Sequence, residues 1–241
     1  MRPFRSVLYM PGSNARALEK ARSIFADALI LDLEDAVAPA EKATARKLIC
    51  DAVDTGYGHR TVLVRVNALD TEWGKADIEA IAACKPDAIL LPKVGSARDI
   101  QELNGLMSAH NNFANTRIWA MMESPLGVLN ALEIAQSSSR LEGFVLGTND
   151  LVKDLSARNT GDRLAVQSAL STCLLAARAA GLVCVDGVYN AFKDEDGLRV
   201  ECAEGRDMGF DGKTLIHPAQ LAVANAAFSP SQEEADLARR Q

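Results

Sequence analysis

The chain has 241 residues, of which 48% are hydrophobic, and a formal net charge of −6 at pH 7. This length allows one large domain, and the acidic balance argues against general nucleic-acid binding, which needs a basic surface. Five cysteines without a Cys-x-x-Cys spacing predict reduced thiols in a cytoplasmic protein. The first residues predict direct entry into a strand rather than a signal peptide, and no apolar run is long enough to span a membrane.

Apolar runs and helical periodicities alternate along the whole chain. Apolar runs predict strands at residues 6–10, 28–33, 61–66, 88–93, 118–123, 143–150, 182–187 and 213–217. Helical patterns lie at residues 14–25, 39–53, 73–84, 96–110, 124–135, 163–181 and 194–208, with a last helix from 218 and a short one from 231 to 239. A period of roughly 30 residues predicts one (β/α)8 TIM barrel domain over residues 1–241. A doubly wound sheet would need a glycine-rich phosphate loop after its first strand, which Pro11-Gly12-Ser13 is not.

Two of the predicted strands end in a carboxylate, Glu123 and Asp150. Ser124 and Pro125 follow the first acid and indicate a helix start, and the polar residues 147–149 precede the second. An acid at the carboxyl end of a barrel strand faces the end at which this fold carries its chemistry. Two such acids can hold a hard cation such as Mg2+, with water and substrate as the other ligands. The alternative is that each acid only caps a helix or pairs with a nearby cation.

Charged residues also end the second, third and fourth predicted strands. Asp32, Glu34 and Asp35 follow a run that predicts burial, which favours a role in a site over a solvated strand end. Arg65 lies among β-branched residues and, if buried, needs an anionic partner, either Glu34 or Asp35 or a substrate carboxylate. Lys93 ends the fourth strand, where a supporting charge is favoured over a Schiff base.

A barrel would bring these charged residues to a single rim. The predicted set is Asp32, Glu34, Asp35, Arg65, Lys93, Glu123, Asp150 and Asp186. The three histidines have no metal-ligand spacing, and no Ser-His-Asp order is present. An oxygen-rich site of this kind suits a Mg2+-bound 2-keto or 2-hydroxy acid, with Arg65 holding a carboxylate or a developing negative charge. Such chemistry makes or breaks a C–C bond beside a carbonyl.

The sequence also resembles the citrate lyase β subunits and their relatives in the HpcH/HpaI aldolase and malyl-CoA lyase superfamily. The resemblance covers essentially the whole chain and rests on motifs that occur in order. They are RSVLYMPGSN at the start, LDLEDAV at 31–37, VRVN at 64–67, LPKV at 91–94, MMESPLG at 121–127, GTNDL at 147–151 and GKTLIHPAQ at 212–220.

The resemblance implies a (β/α)8 barrel that forms a homotrimer and binds Mg2+ through Glu123 and Asp150. It implies that Arg65 contacts the keto acid, and that Glu34 and Asp35 hold metal-bound water or support Arg65. Glu123 would also contact the substrate, whose carboxylate would be held by backbone N–H groups of Gly147, Thr148 and Asn149. The thioester carrier would be CoA or an acyl carrier protein.

Malyl-CoA lyases of this superfamily continue past the last helix into a segment that closes over a neighbouring subunit. The present sequence stops at Gln241 inside a charged helical pattern. Either the sequence is trimmed at this point or this member lacks the lid, and the second alternative leaves the identity of the general acid or base open.

Three functional hypotheses follow from the residues and the resemblance. The first is a Mg2+-dependent lyase that cleaves a malyl-, citramalyl- or citryl-type thioester into a 2-keto acid and an acetyl thioester. The reverse condensation, or hydrolysis of the same thioester, would use the same site. The second is a metal-dependent aldolase acting on free keto acids without CoA. The third is a subunit of a citrate lyase-type complex with weak activity of its own.

Overall fold

Parallel strands form a closed barrel in chain order, as the alternation of strand and helix patterns predicts. The computed structural model describes residues 2–231, 234 and 236. Each strand pairs with the next one in the sequence, and β8 closes the barrel against β1. The strands are β1 (Ser6–Pro11), β2 (Ala28–Asp32), β3 (Thr61–Arg65), β4 (Ala88–Leu91), β5 (Arg117–Met122), β6 (Leu141–Leu146), β7 (Val183–Asp186) and β8 (Gly212–Leu215). The (β/α)8 TIM barrel prediction is confirmed.

Buried apolar side chains form two layers because successive residues of a strand face opposite sides. The smaller layer fills the barrel, and at its amino-terminal end Phe4 packs on Trp119 with ring centroids 4.9 Å apart. Gly143 makes room for this indole, since a Cβ there would lie 2.8 Å from the ring. The larger layer lies between the strands and the helices. Parallel strands buried on both faces explain the nearly continuous apolar runs in the sequence.

The helices lie outside the barrel. They are α1 (Ala15–Lys20), α2 (Lys42–Thr55), α3 (Gly74–Ile81), α4 (Ala97–Ser108), α5 (Pro125–Leu129), α6 (Ala131–Ala135), α7 (Thr148–Asp154), α8 (Gln167–Ala180), α9 (Glu195–Met208) and α10 (Leu221–Ala227). Several are shorter than predicted, because their first or last turn is a 3-10 helix or a non-helical cap. The helix predicted at residues 124–135 is divided at Asn130 into α5 and α6.

Helix α7 is the main element that the sequence analysis missed. Residues 148–154 were assigned to the end of a strand and a polar loop, because Gly-Thr-Asn-Asp is typical of a turn. In the structure these residues start the helix directly after β6, and Gly147 is the N-cap. Asp150 is therefore a first-turn helical residue and not a strand residue.

Three further predictions concern the cysteines, membrane-spanning segments and the last helix. The described cysteines are all free thiols, as predicted. Within residues 2–231, 234 and 236, no helix is both long and apolar enough to cross a bilayer. The predicted helix at 231–239 falls almost entirely outside the described residues.

Candidate metal and substrate site

A buried ion pair between β2 and β3 forms one wall of the site. Asp32 and Arg65 are the last residues of these strands and are register partners. Both oxygens of Asp32 accept hydrogen bonds from the guanidinium, at 2.7 Å from Nε and 2.6 Å from Nη2. This bidentate contact holds the guanidinium plane and leaves Nη1 facing away from Asp32. Burial acts to lower the pKa of Arg65, but the Asp32 hydrogen bond and the nearby acidic groups together outweigh it, so this pKa is raised and the side chain stays charged.

The two other acids of the LEDA motif take different positions around Arg65. Glu34 Oε2 lies 2.8 Å from Arg65 Nη1, yet this buried oxygen accepts no well-aligned hydrogen bond. Burial raises the pKa of Glu34, and the Arg65 charge opposes that rise. Asp35 lies 4.0 Å from Nη1 and its side chain is 71% exposed. The sequence analysis named Glu34 and Asp35 as the possible structural partners of Arg65, whereas the main partner is Asp32.

Glu123 is held in place at the carboxyl end of β5. Its side chain is only 2% exposed, and Oε1 accepts the backbone N–H of Lys93 at 2.8 Å. Burial raises the pKa of Glu123 to about 7. Gly147 lets this carboxylate pass close to the next strand end, because a Cβ at residue 147 would lie 2.3 Å from Glu123 Cβ and 2.7 Å from Oε2.

The ammonium of Lys93 lies between the two predicted metal ligands. Nζ is 2.5 Å from Asp150 Oδ2 and 3.5 Å from Glu123 Oε1. Burial acts to raise the pKa of Asp150, but hydrogen bonds with Lys93 and Glu123 outweigh it and leave this pKa lowered. The two carboxyl groups thus share one cation. The favoured interpretation of Lys93 as a supporting charge agrees with this geometry.

This donor set fits a hard divalent cation. The carboxylate of Glu123, from the end of β5, and that of Asp150, from the first turn of α7, converge on the ammonium of Lys93. The ammonium shows that the two acids can hold a positive charge between them. Across the described part of the chain, no group of three or more His, Cys, Asp or Glu residues is arranged to hold a metal. A metal here would therefore have two protein ligands, which suits Mg2+ because it keeps several water or substrate ligands.

The backbone after β6 offers fewer donors to a substrate carboxylate than the resemblance implies. The N–H of Gly147 donates to the Met122 carbonyl at 3.1 Å and so belongs to the sheet. The N–H groups of Thr148 and Asn149 lie in the first turn of α7, where a helix provides no internal acceptors. Thr148 is buried and Asn149 is exposed, with its side chain paired to Asn190.

A cavity of about 380 Å³ lies at this end of the barrel, between the Arg65 ion pair and the two acids Glu123 and Asp150. Its lining includes Tyr9, Asp32, Asp35, Arg65, Met121, Glu123, Gly147, Thr148, Asn149 and Asp150. Tyr9 and Met121 were not identified as site residues from the sequence. Both lie on strands within apolar runs, where nothing in the residue pattern distinguishes them from core side chains.

The prediction that Asp186 joins the same rim is wrong. Its carboxylate points away from the barrel axis, because Oδ2 lies 3.0 Å from the place of a Cβ on Gly205 in α9. Arg163 Nη1 donates to both oxygens of Asp186 at 2.8 Å, and Lys213 Nζ donates to Oδ2 at 3.1 Å. Asp186 is a structural ion-pair partner between the strands and the helices.

A larger cavity, about 600 Å³, lies at the opposite end of the barrel. Its charged groups are already paired, Arg2 with Asp87 at 3.3 Å and Glu142 with the Trp119 indole at 2.9 Å. Because barrel enzymes carry their chemistry at the carboxyl ends of the strands, we assign the smaller cavity as the site.

Comparisons with known proteins identify the family of the chain. The family model HpcH/HpaI aldolase/citrate lyase matches residues 5–218. A (3S)-malyl-CoA thioesterase of Cereibacter sphaeroides (strain KD131 / KCTC 12085) is 61% identical over 240 residues, which cover 99% of this chain and 82% of that protein. The citrate lyase subunit beta of Escherichia coli (strain K12) is 38% identical over 242 residues, covering 98% of this chain and 80% of that protein.

Solved structures give the same relationship. The protein CitE from Mycobacterium tuberculosis in complex with magnesium, acetoacetate and coenzyme A is 32% identical, with a TM-score of 0.84 over 100% of this chain and 86% of that one. The citrate lyase beta subunit complexed with oxaloacetate and magnesium from the same organism has a TM-score of 0.81 at 32% identity, over 95% of this chain and 98% of that one. These relatives are named as enzymes or enzyme subunits, either lyases or hydrolases. The chain belongs to the HpcH/HpaI aldolase/citrate lyase family.

Proposed function

We propose that the chain is a Mg2+-dependent enzyme that hydrolyses a short 2-hydroxy dicarboxylic acyl-CoA of the malyl-CoA type. The observation that carries the proposal is the meeting of the Glu123–Asp150 pair and the Arg65 guanidinium in one cavity. A cation and a guanidinium on two sides of a small cavity suit a ligand with a carboxylate at one end and a thioester oxygen, on which negative charge develops during hydrolysis, at the other. The likeness to a (3S)-malyl-CoA thioesterase supports hydrolysis of the thioester.

Each site residue then has a role in the proposed reaction. Glu123 and Asp150 would hold Mg2+, which when bound supplies a Lewis acid that polarises a substrate oxygen. Arg65 Nη1 is directed away from Asp32 and lies 2.8 Å from Glu34 Oε2, and it would also hold a substrate oxygen that carries negative charge. The N–H groups of Thr148 and Asn149 would hold a carboxylate.

Hydrolysis also needs a water molecule and a proton acceptor. Glu34 Oε2 is buried and accepts no aligned hydrogen bond, so it can take a proton from the attacking water. The water oxygen bonds to the thioester carbon, the C–S bond breaks, and the proton passes to the leaving thiolate. Asp35 is too exposed and too far from Arg65 to hold it in place, so we assign it to orienting water at the cavity entrance.

C–C cleavage of the same thioester is the second candidate. The likeness to citrate lyase beta subunits favours it, and it would use the same cation site. In that reaction Glu34 would take the proton of the substrate hydroxyl, and the products would be a 2-keto acid and acetyl-CoA.

One assay separates the two reactions and tests the metal site. Purified protein is given (3S)-malyl-CoA with Mg2+ or with EDTA, and free thiol and glyoxylate are measured in parallel. Hydrolysis releases CoA thiol and malate, whereas C–C cleavage releases glyoxylate and acetyl-CoA. We expect Mg2+-dependent thiol release that Glu123→Gln lowers by about 100-fold or more.

Glu102→Gln is the matched control, because Glu102 is an exposed acid on α4. Release of equal amounts of glyoxylate and acetyl-CoA without free thiol would show that the reaction is C–C cleavage and not hydrolysis. Thiol release that persists in EDTA, or in Glu123→Gln, would contradict the metal site.

We also propose that the protein is a cytoplasmic homotrimer. An apolar face on α5, α6 and α8 supports self-association, because Leu129 is 83% exposed, Leu175 72% and Leu132 50%. Light scattering should give three times the 25.8 kDa chain mass, and Leu129→Glu should lower it. A light-scattering mass of the wild-type protein equal to that of one chain would refute the trimer.

A further inference from the structure

Among the residues that the structure describes, none offers the hydroxyl group of Tyr9 a strong hydrogen-bond acceptor. Tyr9 lies in β1, and its oxygen is 3.9 Å from the sulfur of Met121. A thioether is a weak acceptor, and hydroxyl groups inside proteins are normally paired with a carbonyl, a carboxylate or water. The group therefore keeps an unused capacity to donate a hydrogen bond.

The other two tyrosines of the chain show what an ordinary pairing looks like. Tyr57 is buried and donates to the Leu18 carbonyl at 3.1 Å. Tyr189 donates to the carboxylate of Asp194 at 2.7 Å. Tyr9 differs from both, because it is partly buried at the cavity wall and the contact of its hydroxyl group is with a thioether sulfur.

The position of Tyr9 indicates that a ligand in the cavity could supply the acceptor that its hydroxyl group lacks. Its ring lies 5.0 Å from the Arg65 guanidinium and lines the cavity with Glu123 and Asp150. Burial raises the pKa of the phenol, so the group remains a neutral donor. A neutral donor beside a guanidinium and a cation site is suited to an oxygen atom of an anionic ligand.

We propose that the Tyr9 hydroxyl binds the substrate directly by donating a hydrogen bond to an oxygen of the short hydroxy acid. The inference rests on the proposed function and adds a recognition residue to the same site. The hydrogen bond forms only when the acid is bound, so the hydroxyl contributes to binding and turnover and contributes nothing to the stability of the free protein. A ligand that places an apolar group at this position would leave the hydroxyl unpaired and bind less well.

Tyr9→Phe tests the proposal, because it removes one oxygen and keeps the ring that packs in the barrel. Three quantities are measured on the full chain: the dissociation constant for malate with Mg2+, kcat/KM for (3S)-malyl-CoA, and Tm. We expect malate affinity and kcat/KM to fall by about 10- to 100-fold, the effect of losing a hydrogen bond to a charged group. We expect Tm to stay within about 1 °C of wild type, because the hydroxyl has no strong partner to lose.

Tyr57→Phe is the matched control and should behave in the opposite way. It removes a paired hydroxyl at a distance from the site, so Tm should fall while malate affinity and kcat/KM stay unchanged. Wild-type affinity and turnover in Tyr9→Phe would overturn the proposal. A fall in Tm as large as that of Tyr57→Phe would also overturn it, because it would show that the hydroxyl is structural.

The binding measurement separates this inference from the proposed function. If wild type binds malate with Mg2+ but does not turn over malyl-CoA, the proposed reaction fails. The Tyr9 inference then stands if Tyr9→Phe weakens malate binding, and it fails if the affinity is unchanged. If wild type does not bind malate at all, both are refuted.

Discussion

At the scale of single residues, the close approach of two strand ends determines the geometry of the metal site. Gly147 has an ordinary φ of −99°, so an alanine there is allowed by the backbone. The obstacle is steric, because its Cβ would meet Glu123 Cβ at 2.3 Å. Contacts this short force either the carboxylate or the backbone to move.

Gly147→Ala should therefore damage the site more than the fold. We expect Mg2+ affinity to fall by about tenfold or more, and the free energy of unfolding to fall by about 1–3 kcal/mol. Calorimetric Mg2+ titration and thermal unfolding measure the two effects. Gly105→Ala is the control, since this glycine lies in α4 with open space around its Cβ position. It should raise stability by about 0.5–1 kcal/mol and leave Mg2+ binding intact.

At the scale of elements, short helices after strands place the functional groups. Helix α7 starts directly after β6, so that Asp150 turns back towards Glu123 and Lys93. Lys93 has a left-handed backbone with φ of 55°, although it is not a glycine. This conformation costs free energy and persists because its N–H and its ammonium both bind the acids of the site.

Helix α1 follows Ser13 and Asn14, two residue types that commonly cap helices. In the structure Asn14 is the N-cap, and its side-chain oxygen accepts the N–H of Ala17 at 3.0 Å. Asn14→Ala should lower the free energy of unfolding by about 1 kcal/mol. Ser13→Ala should change it by less than about 0.5 kcal/mol, because Ser13 is not the cap. Urea unfolding measures both, and equal losses in the two variants would refute the assignment.

At the scale of the whole molecule, a buried charge cluster ties the last strands to the helix layer. Lys213 is fully buried on β8 and donates to Asp186 at 3.1 Å, to the Gly187 carbonyl at 2.6 Å and to Glu201 on α9 at 2.6 Å. These bonds lie next to the seam at which β8 pairs with β1 and β7. The cluster therefore holds together the part of the chain that closes the barrel.

Lys213→Met should destabilise the protein strongly, because it removes the nearer cation of the buried Glu201 and leaves Arg163 at 3.7 Å. We expect the free energy of unfolding to fall by about 3 kcal/mol or more, which is the usual cost of removing one partner of a buried ion pair. Lys47→Met, on the exposed face of α2, should cost less than about 0.5 kcal/mol. A similar Tm for the two variants would show that the cluster adds little to closure of the barrel.

The sequence by itself predicted the fold that the structure shows, and it singled out the two acids of the candidate metal site. Strand and helix periods are local properties, and a repeat of about 30 residues leaves few architectures other than a barrel. Glu123 stands directly after an apolar run and Asp150 follows one after residues 147–149, and in such a fold the end of a strand lies at the functional face. The same logic placed Arg65, Glu34 and Lys93 close to these acids.

Only the tertiary structure decided which groups face each other. Asp186 follows an apolar run just as Glu123 does, yet it points to the helix layer and is bound by Arg163 and Lys213. The partnership of Asp32 with Arg65 depends on the register of β2 and β3, and the unpaired hydroxyl of Tyr9 depends on what lies across the barrel. Position along a strand gives an alternation of faces, whereas register, barrel curvature and packing across the barrel are properties of the assembled sheet.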